Sequence, residues 1–338
     1  MEEQIKKTFA TPEGCDLVVE NIQGRIDVKG WDRPETEVVA VRHQEWAEVE
    51  IHQEGRRVVA RTEDERGPGG VLSWFGIKRV PAVDYTVHVP HASNLRLKSV
   101  NGPMHVAQVH GEIRTNNVDG SVTLDSIADQ VICETVNGSV QAVHLEGEAR
   151  LKAVNGKLQV QGGKLSGLTA EAVNGQIEVA AALAGEGQYA FHTVNGDCRL
   201  TVPPDLRARV SVHGINSHVK CDLPSQSVER HFGSWKGVIG KGDGPLAEIT
   251  FHTVNGSLYL GGGPVAEGAA PFVAKAEAEA PPTEPEVEPV VVKVDRPERD
   301  EEAEGQGPRS QSDVLKMLER GEISVDEALE LLKGVEAE

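Results

Sequence analysis

The side chains best equipped for chemistry fall in a column. Four residues before a recurring glycine the chain carries Lys98, Asn116, Glu134, Lys152, Glu171, His192, His213 and His252. If successive repeats stack, His192 and His213 become neighbours. Two imidazoles one layer apart are the beginning of a site for zinc or another divalent metal. The spacing places His252 further off and supplies no obvious third ligand, so the plainer reading of the column is a solvated polar face. Six before the glycine stand Arg96, Arg114, Ile132 and Arg150. With Lys98 and Lys152 they make a modest basic strip, suited to an acidic polymer or to the acidic part of the same chain, or simply solvated.

Catalytic patterns are weak. One residue after the glycine come Pro103, Ser121, Ser139, Lys157, Gln176, Asp197 and His218; three after it come His105, Thr123, Gln141, Gln159, Glu178, Arg199 and Lys220. Facing carboxylates, which glycoside cleavage uses as acid and base, do not emerge from these columns. No nucleophile-elbow signature surrounds a Ser or Cys. Residues 237–244 are glycine-rich but lack the Gly-Lys-Ser/Thr ending of a phosphate loop and open no helix. Cys15, Cys133, Cys198 and Cys221 have no metal-ligand spacing, and three of the four fall in apolar columns, which predicts buried free thiols. The sequence assigns no catalytic residue and no cofactor.

The glycine that sets these counts belongs to Val-Asn-Gly, found at residues 100–102, 136–138, 154–156, 173–175, 194–196 and 254–256. Val118-Asp119-Gly120 and Ile215-Asn216-Ser217 are variants, and Ile22-Gln23-Gly24 stands alone near the start. From Gly102 the third position recurs at steps of 18, 18, 18, 19, 21 and 21, followed by one of 39. A fixed period of this size is the mark of stacked repeats. Apolar columns lie two and four after the glycine (Val122 and Leu124, Leu158 and Val160) and five and seven before it (Leu97 and Leu95, Phe191 and Tyr189). They alternate with polar ones, as strands do. The two strands are out of phase, so the chain turns a corner before the motif. Gly102, Gly120, Gly138, Gly156, Gly175, Gly196 and Gly256 are the expected corner residues, since only glycine fits an inward corner and Asn tolerates left-handed angles. Asn-Gly is also the strongest hairpin signal, and an antiparallel meander is the rival. Column-matched repeats favour like-on-like stacking: a parallel β-solenoid.

Length and charge bound the rest. The chain has 338 residues and a net charge of −19. Residues 264–338 hold 20 acidic and 8 basic side chains, a net of −12. Nucleic acid, which needs a basic face, is a poor partner. No run of 18 apolar residues could form a membrane-spanning helix, and the opening MEEQIKKTFATPEG lacks the apolar core of a signal peptide, so the expected location is cytoplasmic.

Residues 1–263 read as the repeat domain. Its first part, 1–94, contributes an atypical first rung or cap around Gly24 and strand-like runs at 37–43, 48–52, 57–62 and 83–89. The loop at 66–79, with Trp74 and Phe75, reads as a flap over the repeats or a ligand contact. Residues 95–263 hold the repeats, interrupted at 224–247 by a long hairpin or lateral loop before a last rung at 247–260. Residues 264–309 are rich in Ala, Pro and Glu, too poor in apolar area to order, and read as a linker. Residues 310–338 show helical spacing: Val314, Leu315 and Leu318, a stop at Gly321, a capping box from Ser324 to Glu327, then Leu329 and Leu332. Two such short helices cannot hold a core alone, which predicts docking through Leu315, Leu318, Leu329 and Leu332 to a protein partner or a second copy.

The repeated V-N-G-x-apolar-x-apolar register, the opening NIQGRIDVKGWD and the closing FHTVNGSLYLGGG resemble the bacterial DUF4097 family over roughly residues 10–262. Its members are described as adhesins of β-helical type. The tail DVLKMLERGEISVDEALELL resembles the SHOCT-like helical hairpin of the same group. The resemblance implies a link to cell-envelope stress in Gram-positive bacteria and carries no catalytic residues. The expected protein is therefore all-β: a parallel β-solenoid of 18–21-residue rungs with a disordered linker and a small C-terminal α-hairpin. It is expected to serve as a non-enzymatic scaffold or binding module with an envelope-associated partner. An enzyme acting on acidic polysaccharide and a surface adhesin are the alternatives. Limited proteolysis should cut first between about Gly263 and Ser310 and leave a β-rich core; early cuts within residues 95–223 would move the boundary.

Overall fold

The computed structural model describes residues 3–44, 46–64, 81–231, 234–240 and 245–265. Within them the regular structure is all β. Successive repeats pair in parallel and in register. In strand Val122–Asn137, Val122 lies against Val140, Cys133 against Leu151 and Asn137 against Asn155 of strand Val140–Asn155. The next interfaces repeat this pattern, with Asn155 against Asn174 and Asn174 against Asn195. Asn-Gly therefore joins the two strands of one rung rather than two antiparallel neighbours, which rules out the meander.

The apolar columns form the core. Leu97, Thr115, Cys133, Leu151, Ala170, Phe191, Phe251 and Val212 occupy one inward column and are all buried. Burying a Leu- or Phe-sized side chain is worth roughly 1.5–3 kcal/mol, so one column repeated over the layers is a large part of the driving force. The bulkiest members, Phe191 and Phe251, stand side by side in register.

At the glycine corner the backbone of the neighbouring layer leaves no room for a side chain. A Cβ on Gly156 would lie 1.9 Å from the carbonyl oxygen of Gly138, and one on Gly138 would lie 2.0 Å from that of Gly120. The same clash recurs at Gly102 with Gly24 (2.2 Å), Gly120 with Gly102 (2.3 Å), Gly175 with Gly156 (1.9 Å), Gly196 with Gly175 (1.7 Å) and Gly256 with Gly196 (2.1 Å). Positive φ marks only some of the seven, Gly102 (139°) and Gly120 (134°) among them. What they share is contact with the backbone of the neighbouring layer.

Layer order departs from chain order at both ends. Strand Ala247–Gly262 pairs in parallel with Ile177–Asn195 and Cys198–Val202 on one side and with Ala208–Cys221 on the other. The last rung in sequence is thus the penultimate one in space, a correction to the expected order. Ala208–Cys221 forms the outer layer, and strands Ser225–His231 and Ser234–Ile239 fold onto its free edge as an antiparallel hairpin. This resolves the 224–247 insertion. At the other end, Asp16–Gln23 lies between Arg57–Asp64 and Asn94–Asn101, and Ile26–Trp31 between Val83–Pro90 and Met104–Ala107. Antiparallel strands Ala47–Glu54 and Glu35–Arg42 close that end. In both places a layer whose pairing groups would face solvent is covered by reversing the chain, the usual protection of a sheet edge.

The outer layer also shows why its motif ends in serine. In the inner layers Thr193 and Thr253 stand three residues before the glycine, and the Thr193 hydroxyl donates to the Gly196 carbonyl at 3.2 Å. The outer layer has Gly214 there, and a Cβ on it would lie 2.7 Å from Ser217 Cβ. The small and the larger residue have exchanged places. The 66–79 loop and the expected linker and helical hairpin lie outside the described residues.

Gly156→Val should destabilise the domain by about 2–4 kcal/mol. Gly261→Ala, where an added Cβ meets nothing within 4 Å, should change it by less than ~0.5 kcal/mol. Denaturant melts of the two variants check this.

Candidate functional site

The face that carries the column four before the glycine is the candidate site. Strand alternation turns this column outward while Phe191, Phe251 and Val212 turn in. Inserting the 247–262 strand changes its order: His252 lies in register with His192 on one side and His213 on the other. The His192 and His252 rings stack at 5.1 Å between centroids and 3° between planes; His252 and His213 stack at 5.4 Å and 18°. His192 and His213, expected to touch, are separated by the histidine expected to be remote. The cause is the layer order, which motif spacing does not encode.

Imidazoles lying flat on one another turn ring faces rather than nitrogen lone pairs toward each other. Among the described residues no group of three or more His, Cys, Asp or Glu side chains is arranged to hold a metal ion. The geometry instead couples protonation. The His252 pKa is lowered, first by desolvation between its neighbours and then by the nearby His192 and His213 imidazoles.

Below the histidines the column becomes a charge ladder. Glu171, in register with His192, accepts a hydrogen bond from Arg150 at 3.1 Å and is ion-paired with Lys152 at 3.7 Å. Arg114 pairs with Glu112 at 2.6 Å. Arg114, Arg150 and Lys152 of the expected basic strip thus have carboxylate partners, and the strip is largely neutralised. On the face after the glycine, Lys157 reaches Glu178 at 2.6 Å, and the Arg199 guanidinium lies 5.8 Å from the Tyr259 ring centroid. Each exposed pair is worth roughly 0–1 kcal/mol, so they order the surface more than they stabilise the fold.

Between the two faces runs a spine of amides. Asn155 Nδ2 donates to Asn137 Oδ1 at 3.0 Å, Asn174 to Asn155 at 3.1 Å and Asn195 to Asn174 at 3.1 Å. Asn255 donates to Asn195 at 3.0 Å, and Asn216 to Asn255 at 2.9 Å. Every link points the same way. Sequence reasoning valued Asn for its backbone tolerance and missed this ladder; the identity of the residue in layer after layer was the available signal. Beside the histidines the motif valines emerge: Val194 and Val254 are 39 % exposed and Ile215 68 %, whereas Val118, Val136 and Val154 of the central layers are buried. Further along the same sheet a groove of about 540 Å³ opens among Gln130, Glu148, Arg150, Glu186 and Gln188. It lies where the strand register shifts at Gly147/Glu148 and Leu165/Gly167.

The thiols face inward. Cys15, Cys133 and Cys198 are buried and Cys221 is half-buried. Desolvation pushes the Cys133 pKa up to about 12 and raises those of Cys198, Cys15 and Cys221 as well. None has the thiolate character of a nucleophile.

In-register layers, glycine corners and an amide spine define a β-stacked repeat protein. The chain belongs to the Toastrack DUF4097 family, whose profile matches residues 17–258, and a SHOCT-like domain matches residues 311–338. No curated protein matches it. Among solved structures, a Bacteroides fragilis protein provisionally named an adhesin is 8 % identical, with 76 % of this chain and 97 % of that one covered and a TM-score of 0.46. A Parabacteroides distasonis protein provisionally named as lipid-binding is 11 % identical, with 78 % and 97 % covered and a TM-score of 0.45. A second protein of that organism, provisionally named an adhesin, is 12 % identical, with 76 % and 97 % covered and a TM-score of 0.36.

Brief alkylation of the native protein at neutral pH should label Cys221 first and leave Cys15, Cys133 and Cys198 intact until denaturant is added. Mass spectrometry of the peptides checks this; equal labelling of all four would mean the core opens readily.

Proposed function

We propose that this protein is a non-enzymatic binding scaffold: a rigid β-stacked surface joined to a docking element. The observation that carries the reading is the amide spine with the ion pairs beside it. Outward side chains are engaged with one another from layer to layer, so the surface is pre-organised and a partner meets groups already ordered. The exposed Val194, Val254 and Ile215 beside it add apolar contact area.

The docking element is the SHOCT-like segment, with Leu315, Leu318, Leu329 and Leu332 as anchors for a protein partner or a second copy. Tethering by the acidic, proline-rich stretch before it raises the effective concentration of the element to roughly the mM range without new contacts. In this reading the partner is associated with the bacterial envelope and is met from the cytoplasmic side.

Leu318→Asp with Leu329→Asp should abolish self-association or capture of the partner while the melting of the β domain stays unchanged. Sedimentation velocity of the full chain and the double variant, with a pull-down by each, decides. Identical sedimentation and identical partners would remove the docking role.

A further inference from the structure

The three stacked histidines span the last three layers of the repeat stack. His252 belongs to Ala247–Gly262, His213 to the outer layer Ala208–Cys221, and His192 to the layer beneath both. We propose that this stack makes the outer layer, with its hairpin, a proton-responsive closure: neutral rings stack and hold it down, and mild acid loosens it. The inference stands apart from the binding role above.

Charge around the stack favours this response. Glu171 stands next to His192 and is already ion-paired with Arg150 and Lys152. A proton on His192 has that carboxylate beside it. His252 faces only the other two imidazoles in its column, and Glu248, on its own strand, pairs with Arg209 of the outer layer at 3.4 Å. Across from His213 the hairpin places Ser234, and Lys236 opposes Ser211. Glu229 lies in register with Lys236, and His231 with Ser234. Two imidazolium rings about 5 Å apart repel with no carboxylate between them, while the charge of Lys236 is offset by Glu229 opposite it.

The outer layer is also the one most easily lifted. Inner layers are clasped by parallel neighbours on both sides, whereas Ala208–Cys221 has one such neighbour and the hairpin. Its second half is loosely packed: Ile215 is exposed, and Val219 and Cys221 are only partly buried. Local opening begins where buried contacts are fewest.

The direction with pH follows from linkage. His252 has a pKa below the ordinary 6.5, so it binds a proton less readily in the closed layer than in the open one. The stabilisation is therefore complete above that ordinary value and is lost as pH falls from it toward the lowered one.

Amide exchange of the full chain at pH 7.5 and 5.5, corrected for intrinsic rates, tests the proposal. Protection over residues 208–221 and 234–239 should fall by about two- to fivefold at the lower pH, while residues 122–155 stay unchanged. His252→Phe, which keeps a ring and removes the proton, should abolish that fall. A uniform loss across all layers, or an undiminished fall in the variant, overturns the proposal. So does zinc chloride restoring wild-type protection at pH 5.5, which would make the stack a metal site. Proton NMR titration of the wild-type protein needs no variant: the His252 imidazole must titrate below the ordinary value, and a midpoint at or above it also overturns the proposal.

Discussion

Layers about 4.8 Å apart leave no space, at the corner of this fold, between one glycine and the carbonyl of the glycine beneath it. With gaps as short as 1.7 Å to a hypothetical Cβ, the sequence has no alternative residue there, layer after layer. That contact sets the register. Once corner glycines are stacked, asparagines meet asparagines, inward residues meet their own kind, and outward charges find partners one layer away. Where the contact is relaxed, at Ser217, a compensating glycine appears three residues earlier at Gly214.

Much of this was legible in the sequence, because a stacked fold writes itself as columns. Leu97, Cys133, Leu151 and Phe191 were recognisable as one inward column without knowledge of the path of the chain. The strands near residues 37, 48, 57 and 83 were found to within a few residues. What the columns did not encode was which layer follows which. The step of 39 before Gly256 could be a missing repeat or an insertion, and neither reading places residues 247–262 between two earlier layers. Pairing is settled by which edges are left open and by how a hairpin can cover them, properties of the assembled sheet. The histidine stack was lost for this reason: His252 was visible in the column, and its neighbours were not. At the glycine corner the space a side chain would need is taken by the backbone of the adjacent layer, a neighbour that the motif alone does not identify.

The outward faces show how a regular surface can remain individual. Amide links run continuously from Asn137 to Asn216 and make the spine uniform, yet the column beside it changes from charged pairs to histidines along the stack, and the motif valines change from buried to exposed. Regular backbone supplies stiffness, and the variation between layers makes each outward stretch chemically distinct. A stacked sheet of this type can change its outward faces by substitutions that leave the inner columns untouched.

The interleaved layer order also bears on how the chain is made. A growing polypeptide that has emerged through residue 221 holds every layer but one, and the missing one lies between Ile177–Asn195 and Ala208–Cys221. The outer layer must either wait or dock on the wrong neighbour, in register with the motif but one place too deep, and then be displaced when residues 247–262 arrive. Gln188 finds Glu248 60 residues along the chain, whereas inner layers pair across 18 to 21. The middle of the molecule can build up as it is synthesised, but its C-terminal end closes only after the repeat domain is complete.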